Sequence, residues 1–172
     1  KYRSHWGLID MGLDILTERG QVAARHQQEA AEIVVAHRPG TSFVNTALDD
    51  SAAIDGFFTQ DGVVRAACEI KCRYDMDLAR FMAERKGEWL VTHQKVLDLA
   101  KVCELLRIPG YMMLYLVADR LVLVKKVVDH TGQVTGVARV EATRTQKTIN
   151  GGEAFRQNAF INMQDAMRFK AI

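Results

Sequence analysis

At 172 residues, 48% apolar and 26% charged, the chain is long enough for one domain with a buried core, and its composition excludes disorder as the default. A net charge of +2 says little about a partner, but from Arg120 onward nine Lys or Arg face four Asp or Glu, so that end is the basic one. Three cysteines with no CxxC fit neither a disulfide framework nor a standard zinc site, no apolar run is of membrane-spanning length, and no signal-peptide pattern opens the chain.

A reducing setting follows, cytoplasmic or nucleoid-associated, with no membrane and no secretion expected. The chain reads as a single domain over residues 1–172. Its core lies at about 14–128, and a C-terminal strand and basic tail fill 129–172.

In chain order, residues 14–37 predict a helix, because Val22, Ala23, Ala30, Ile33 and Val34 recur at helical spacing and Pro39-Gly40 ends the run. A short strand is expected at 41–47 and a turn at 48–51. A hairpin follows, with strands near 52–59 and 63–72. A short helix over 75–85 stops near Gly87. A second runs over 92–107, with Thr92 as N-cap and Val96, Leu99, Ala100, Cys103 and Leu106 on its buried face. The run YMMLYLVA at 111–118 predicts a strand covered on both sides. Two more strands are expected within 120–128 and 134–143, and a terminal helix near 162–169. The order predicts an α/β domain with a mixed central sheet flanked by helices.

The hairpin carries Asp55, Glu69 and Lys71 where ordinary strand side chains are expected. Strand alternation puts Glu69 and Lys71 on one face, and Cys68, Ile70 and Cys72 on the other as small core residues. Whether Asp55 joins Glu69 depends on the loop. A two-residue Asp61-Gly62 turn pairs Asp55 with Cys68 and turns it away. A three-residue Gln60-Asp61-Gly62 loop pairs it with Ala67, on the face of Glu69, and a bulge elsewhere serves equally.

Two converging carboxylates repel unless one keeps its proton or a cation binds them. All-oxygen ligands, with the Ile70 carbonyl as a further donor, suit Mg²⁺ or Mn²⁺. Such an ion activates water against a phosphodiester, and Lys71 would orient that water or stabilise phosphate charge. The plainer alternative is a Glu69–Lys71 salt bridge with Asp55 in a turn.

The segments IDG at 54–56 and EIKCR at 69–73 resemble the PD-(D/E)xK nuclease superfamily, the restriction-endonuclease-like fold, and EIKC is similar to its viral and RecB-type exonuclease branch. The resemblance covers roughly residues 20–120. It implies an αβββαβ core with extra C-terminal strands, Asp55 and Glu69 as metal carboxylates, and Lys71 as the motif lysine. The family's Pro before the Asp is Ile54 here. A glutamate on the first helix would also face the metal. Glu29 is preferred for it over Glu32. Gln94 matches the glutamine that RecB-type members carry on the helix after the motif, although Leu97 and Asp98 stand where a tyrosine is expected. The four-cysteine iron–sulfur cluster of some members is rejected, because only three cysteines are present.

The expected activity is hydrolysis of DNA phosphodiesters with Mg²⁺ or Mn²⁺. The enzyme would be an exonuclease or structure-specific nuclease of recombination, repair or phage DNA processing. Arg73, Gln94 and Lys101 are candidate substrate contacts, and Arg80, Arg85 and Lys86 could track a phosphate backbone. Alternatives are a restriction-type endonuclease, and a non-catalytic nucleic-acid-binding protein that keeps the fold. Enzymes acting on paired strands are often dimers or rings, so a homo-oligomer is compatible with this reading.

Overall fold

The computed structural model describes residues 17–46, 52–145 and 154–172. Helix α1 (Glu18–Ala36) starts where the Thr17 side chain accepts from Gly20 N at 2.9 Å, satisfying one of the free N–H groups of the first turn. Ala30, Ala31, Ile33 and Val34 form its buried stripe. The stop at Pro39-Gly40 holds, with Gly40 at φ 76°, and β1 (Thr41–Asn45) follows. The expected turn at 48–51 and the first residues of the expected helix lie outside the described residues.

Strands β2 (Gly56–Gln60) and β3 (Val63–Arg73) make the hairpin. Its connection is the two-residue Asp61-Gly62 turn, with φ 52° and 77°, rather than the three-residue loop. Positive φ at both central residues matches the right-handed twist of the flanking strands. The register then shifts between Phe58 and Thr59, leaving Arg65 as the extra residue of a bulge on β3. Beyond the bulge Gly56 pairs with Cys68, so one further step sets Asp55 across from Glu69. Gly56 is required there, because a Cβ would lie 2.4 Å from the Phe43 ring and 2.6 Å from the Val44 carbonyl oxygen.

After β3 come α2 (Leu78–Arg85), β4 (Glu88–Thr92), α3 (His93–Leu106) and β5 (Gly110–Leu116). Asp77 caps α2, accepting from Arg80 N at 2.7 Å. Thr92 precedes α3 without a side-chain cap bond. A 3₁₀ turn (Val117–Asp119), β6 (Leu121–Val128), β7 (Arg139–Thr145), β8 (Ala154–Asn162) and β9 (Met167–Lys170) complete the order.

Six strands form one sheet in the order β1-β2-β3-β5-β6-β9, and β4-β8-β7 form a second. Within the larger sheet β3 and β5 are parallel and every other pair is antiparallel. This is a mixed sheet flanked by helices. One face meets α1 through Cys68, Ile70, Met113, Tyr115 and Phe169. The other meets α3 and the smaller sheet through Ala67, Met112, Leu114, Leu99 and Ile161. Burial on both faces explains the near-continuous apolar run of β5.

The C-terminal expectation is corrected. Residues 162–169 are not a helix: β8 ends at Asn162 and β9 pairs with β6. Met163, Ala166 and Phe169 are all buried, a spacing of three that imitates a helical stripe. A strand that must also close the edge of β6 wins instead. Strands β4 and β8 were not anticipated.

Candidate functional site

The site is built where β2 runs out beside β3. The main-chain groups of Ile70 point toward the missing strand and need partners. Asp55 Oδ2 accepts from Ile70 N at 2.6 Å, and Gln27 Nε2 on α1 donates to the Ile70 carbonyl at 3.2 Å. Asp55 is itself pinned: its N–H bonds the Cys68 carbonyl at 3.1 Å, and its own carbonyl accepts from Thr46 N at 3.0 Å. The register shift at the bulge and this backbone anchoring together bring Asp55 to Glu69.

Glu69 is fully buried, a costly place for a carboxylate. Its compensation comes from two lysines. Lys71 Nζ lies 3.8 Å from Oε1, and Lys95 Nζ on α3 lies 3.3 Å from Oε1 and 3.4 Å from Oε2. Even so, Oε1 has no hydrogen bond of good geometry; the Lys95 contact to it is an ion pair alone. Burial, then the charge of Asp55, push the Glu69 carboxyl up to about 7 against the pull of Lys71 and Lys95. Burial also raises Asp55, opposed by the Ile70 N–H and both lysines.

The structure thus groups Asp55, Glu69 and Lys71, and adds Lys95, which sequence reasoning missed. The signal was present: Lys95 stands four residues before buried Leu99, so it projects from the inner side of α3. Gln94 and Lys101 instead lie on its outer side, where Gln94 donates to Asp98 at 2.9 Å and Lys101 pairs with Asp98 at 3.7 Å.

Glu29 is held elsewhere too. Its Oε1 is 3.2 Å from Arg120 Nη2, and with burial it helps push the Tyr115 phenol up to about 12. Tyr115 is on the α1 face of the sheet, whereas Glu69 and Lys71 alternate onto the α3 face. Glu32 is exposed and accepts from Gln28 at 2.9 Å. The α1 residue that reaches the Ile70 carbonyl is Gln27, through the gap left by the end of β2. Arg73 is half-buried on the Glu69 face, and Arg80 is paired with Glu84 at 2.7 Å.

Two carboxylates and the Ile70 carbonyl are the oxygen donors available to a divalent ion. Among the described residues no group of three or more His, Cys, Asp or Glu forms a ligand cluster, so water would complete the shell of an ion held here. The chemistry of this donor set, hard oxygens with one buried unsatisfied, fits Mg²⁺ or Mn²⁺ better than a softer metal. A groove of about 520 Å³ lies on the α1 face, lined by Val34, Arg38, Phe58, Tyr111 and Phe169, and includes none of these groups. No helix among the described residues is long and apolar enough to cross a membrane. Comparison of the chain with protein-family models, curated proteins and solved structures found no match.

Proposed function

We propose that this chain is a divalent-metal-dependent nuclease of the PD-(D/E)xK kind that hydrolyses DNA phosphodiesters. One observation carries the reading: Asp55, just before β2, and buried Glu69 of β3 converge beside Lys71 near the end of β3. The element order supports it. Helix, three antiparallel strands, helix and a strand parallel to the third is the order that reading expects, with α2 and β4 falling before α3.

Asp55 and Glu69 would hold the ion, with the Ile70 carbonyl beside them. When bound, the ion supplies positive charge against the phosphate and lowers the pKa of its water. Lys71, 43% exposed, stands at the open side, where its ammonium would orient the attacking water or balance phosphate charge. Arg73, on the same face of β3, would extend the positive charge available to a substrate backbone.

A second reading has its own observation. The double ion pair of Glu69 with Lys71 and Lys95 is also what a buried structural cluster looks like, and would suit a non-catalytic protein that keeps the fold. A cleavage panel of linear, nicked, single-stranded and branched DNA with Mn²⁺ separates the two. Cleavage that vanishes in Asp55→Asn and in Glu69→Gln, by at least about a hundredfold, is expected for the enzyme. A folded protein that cuts none of these substrates, or mutants that cut normally, would sink the nuclease reading.

A further inference from the structure

We propose that Lys95 is the resident counter-ion of Glu69, which a divalent cation must displace, so that cation binding and the Lys95–Glu69 ion pair exclude each other. The inference rests on the nuclease reading above and adds a control element to its site.

Three observations lead there. First, Lys95 Nζ straddles the carboxylate, 3.3 Å from Oε1 and 3.4 Å from Oε2, and so stands over the oxygens an ion would take. Lys71, 3.8 Å from Oε1 alone, does not cover both. Second, exposure is unequal. The Glu69 side chain is fully buried and cannot leave, whereas that of Lys95 is 33% exposed and has a path to water. Third, α3 is anchored by buried Val96, Leu99 and Cys103, so release of Lys95 needs only its own side chain to turn.

The physical logic is substitution of one cation by another. A buried carboxylate without a positive partner is strongly disfavoured, so Glu69 keeps Lys95 in the absence of metal. A divalent ion and an ammonium within about 4 Å of each other repel, so both cannot serve the same two oxygens. Lys95 is therefore a positioning residue that acts through Glu69.

The test is calorimetric titration of Mn²⁺ at one fixed pH, without DNA, into wild type, Lys95→Gln, Lys95→Arg and Asp55→Asn. Loss of the competing charge in Lys95→Gln should tighten Mn²⁺ binding about tenfold, whereas Lys95→Arg, which keeps the charge, should bind no tighter than wild type. A second measurement needs no variant. Reductive methylation of wild-type Lys95, followed by peptide mass spectrometry, should rise several-fold when Mg²⁺ is added.

Unchanged or weaker Mn²⁺ binding by folded Lys95→Gln would overturn the proposal, as would Lys95 labelling that ignores Mg²⁺. If wild type binds Mn²⁺, Asp55→Asn does not, and Lys95→Gln matches wild type, only the role of Lys95 falls. If wild type binds no Mn²⁺ at all, the nuclease reading falls with it.

Discussion

Glu69 shows at the scale of one residue how position creates chemistry. A glutamate in water titrates at its ordinary value, whereas burial and Asp55 move this one from 4.5 to about 7. Between those two values the folded chain holds a proton that the unfolded chain has lost. A raised carboxyl pKa thus contributes stability that is complete below the ordinary value and disappears as pH rises through about 7. In a metal chelator, thermal melts should show stability falling between about pH 4.5 and about pH 7, by on the order of 3 kcal/mol, and Glu69→Gln should flatten the profile. Asp55, also raised, adds in the same direction. The cysteines behave as core residues. Burial holds the Cys68 thiol well above its ordinary value, and those of Cys72 and Cys103 rise to about 12 and about 11. Cys68→Ser should therefore lower stability by about 1–3 kcal/mol, read by urea unfolding, and leave Mn²⁺ binding intact.

At the scale of elements, the hairpin is decided by its bulge. Alternation places Glu69 and Lys71 on one face from the sequence alone, but the partner of Asp55 depends on whether β3 carries an extra residue. Arg65 supplies it, and no local feature of Val63-Val64-Arg65-Ala66 announces it. Deleting Arg65 should leave a regular hairpin with Asp55 still opposite Glu69, so Mn²⁺ titration of the deletion variant should match wild type within about threefold. Lost binding in a folded variant would mean that the twist of the bulge, rather than the register, sets the site. Helix α3 was readable as an amphipathic element, yet Lys95 was not. A lysine beside an apolar stripe normally lies in solvent, and only the buried carboxylate across the gap draws this one inward.

At the scale of the molecule, the larger sheet divides two cores. The α1 side holds Ile70, Tyr115 and Phe169, and the other holds α3 and the smaller sheet. Strand β9 covers the β6 edge and delivers Phe169 to the α1 side. Removing residues 165–172 should lower the melting temperature by on the order of 10 °C, because a large buried side chain and an edge strand are lost together. Mn²⁺ binding at low temperature should persist, since β5 separates β6 from the site strand β3. Melting unchanged from the full chain would show that β9 adds nothing to the core.

The sequence by itself determined the elements with strong periodicity: α1, the β2–β3 hairpin, α3 and β5, and the common face of Glu69 and Lys71. These follow from side-chain direction within one strand or helix, which is local. Contacts between elements were decided only by tertiary structure. Glu29 went to Arg120 because α1 lies across the sheet from Glu69, Gln27 reached Ile70 because β2 stops short, and Lys95 reached Glu69 because α3 docks on the same face. The last residues became a strand because the open β6 edge needed hydrogen-bond partners. Each of these depends on groups far apart in the chain, for which periodicity carries no signal.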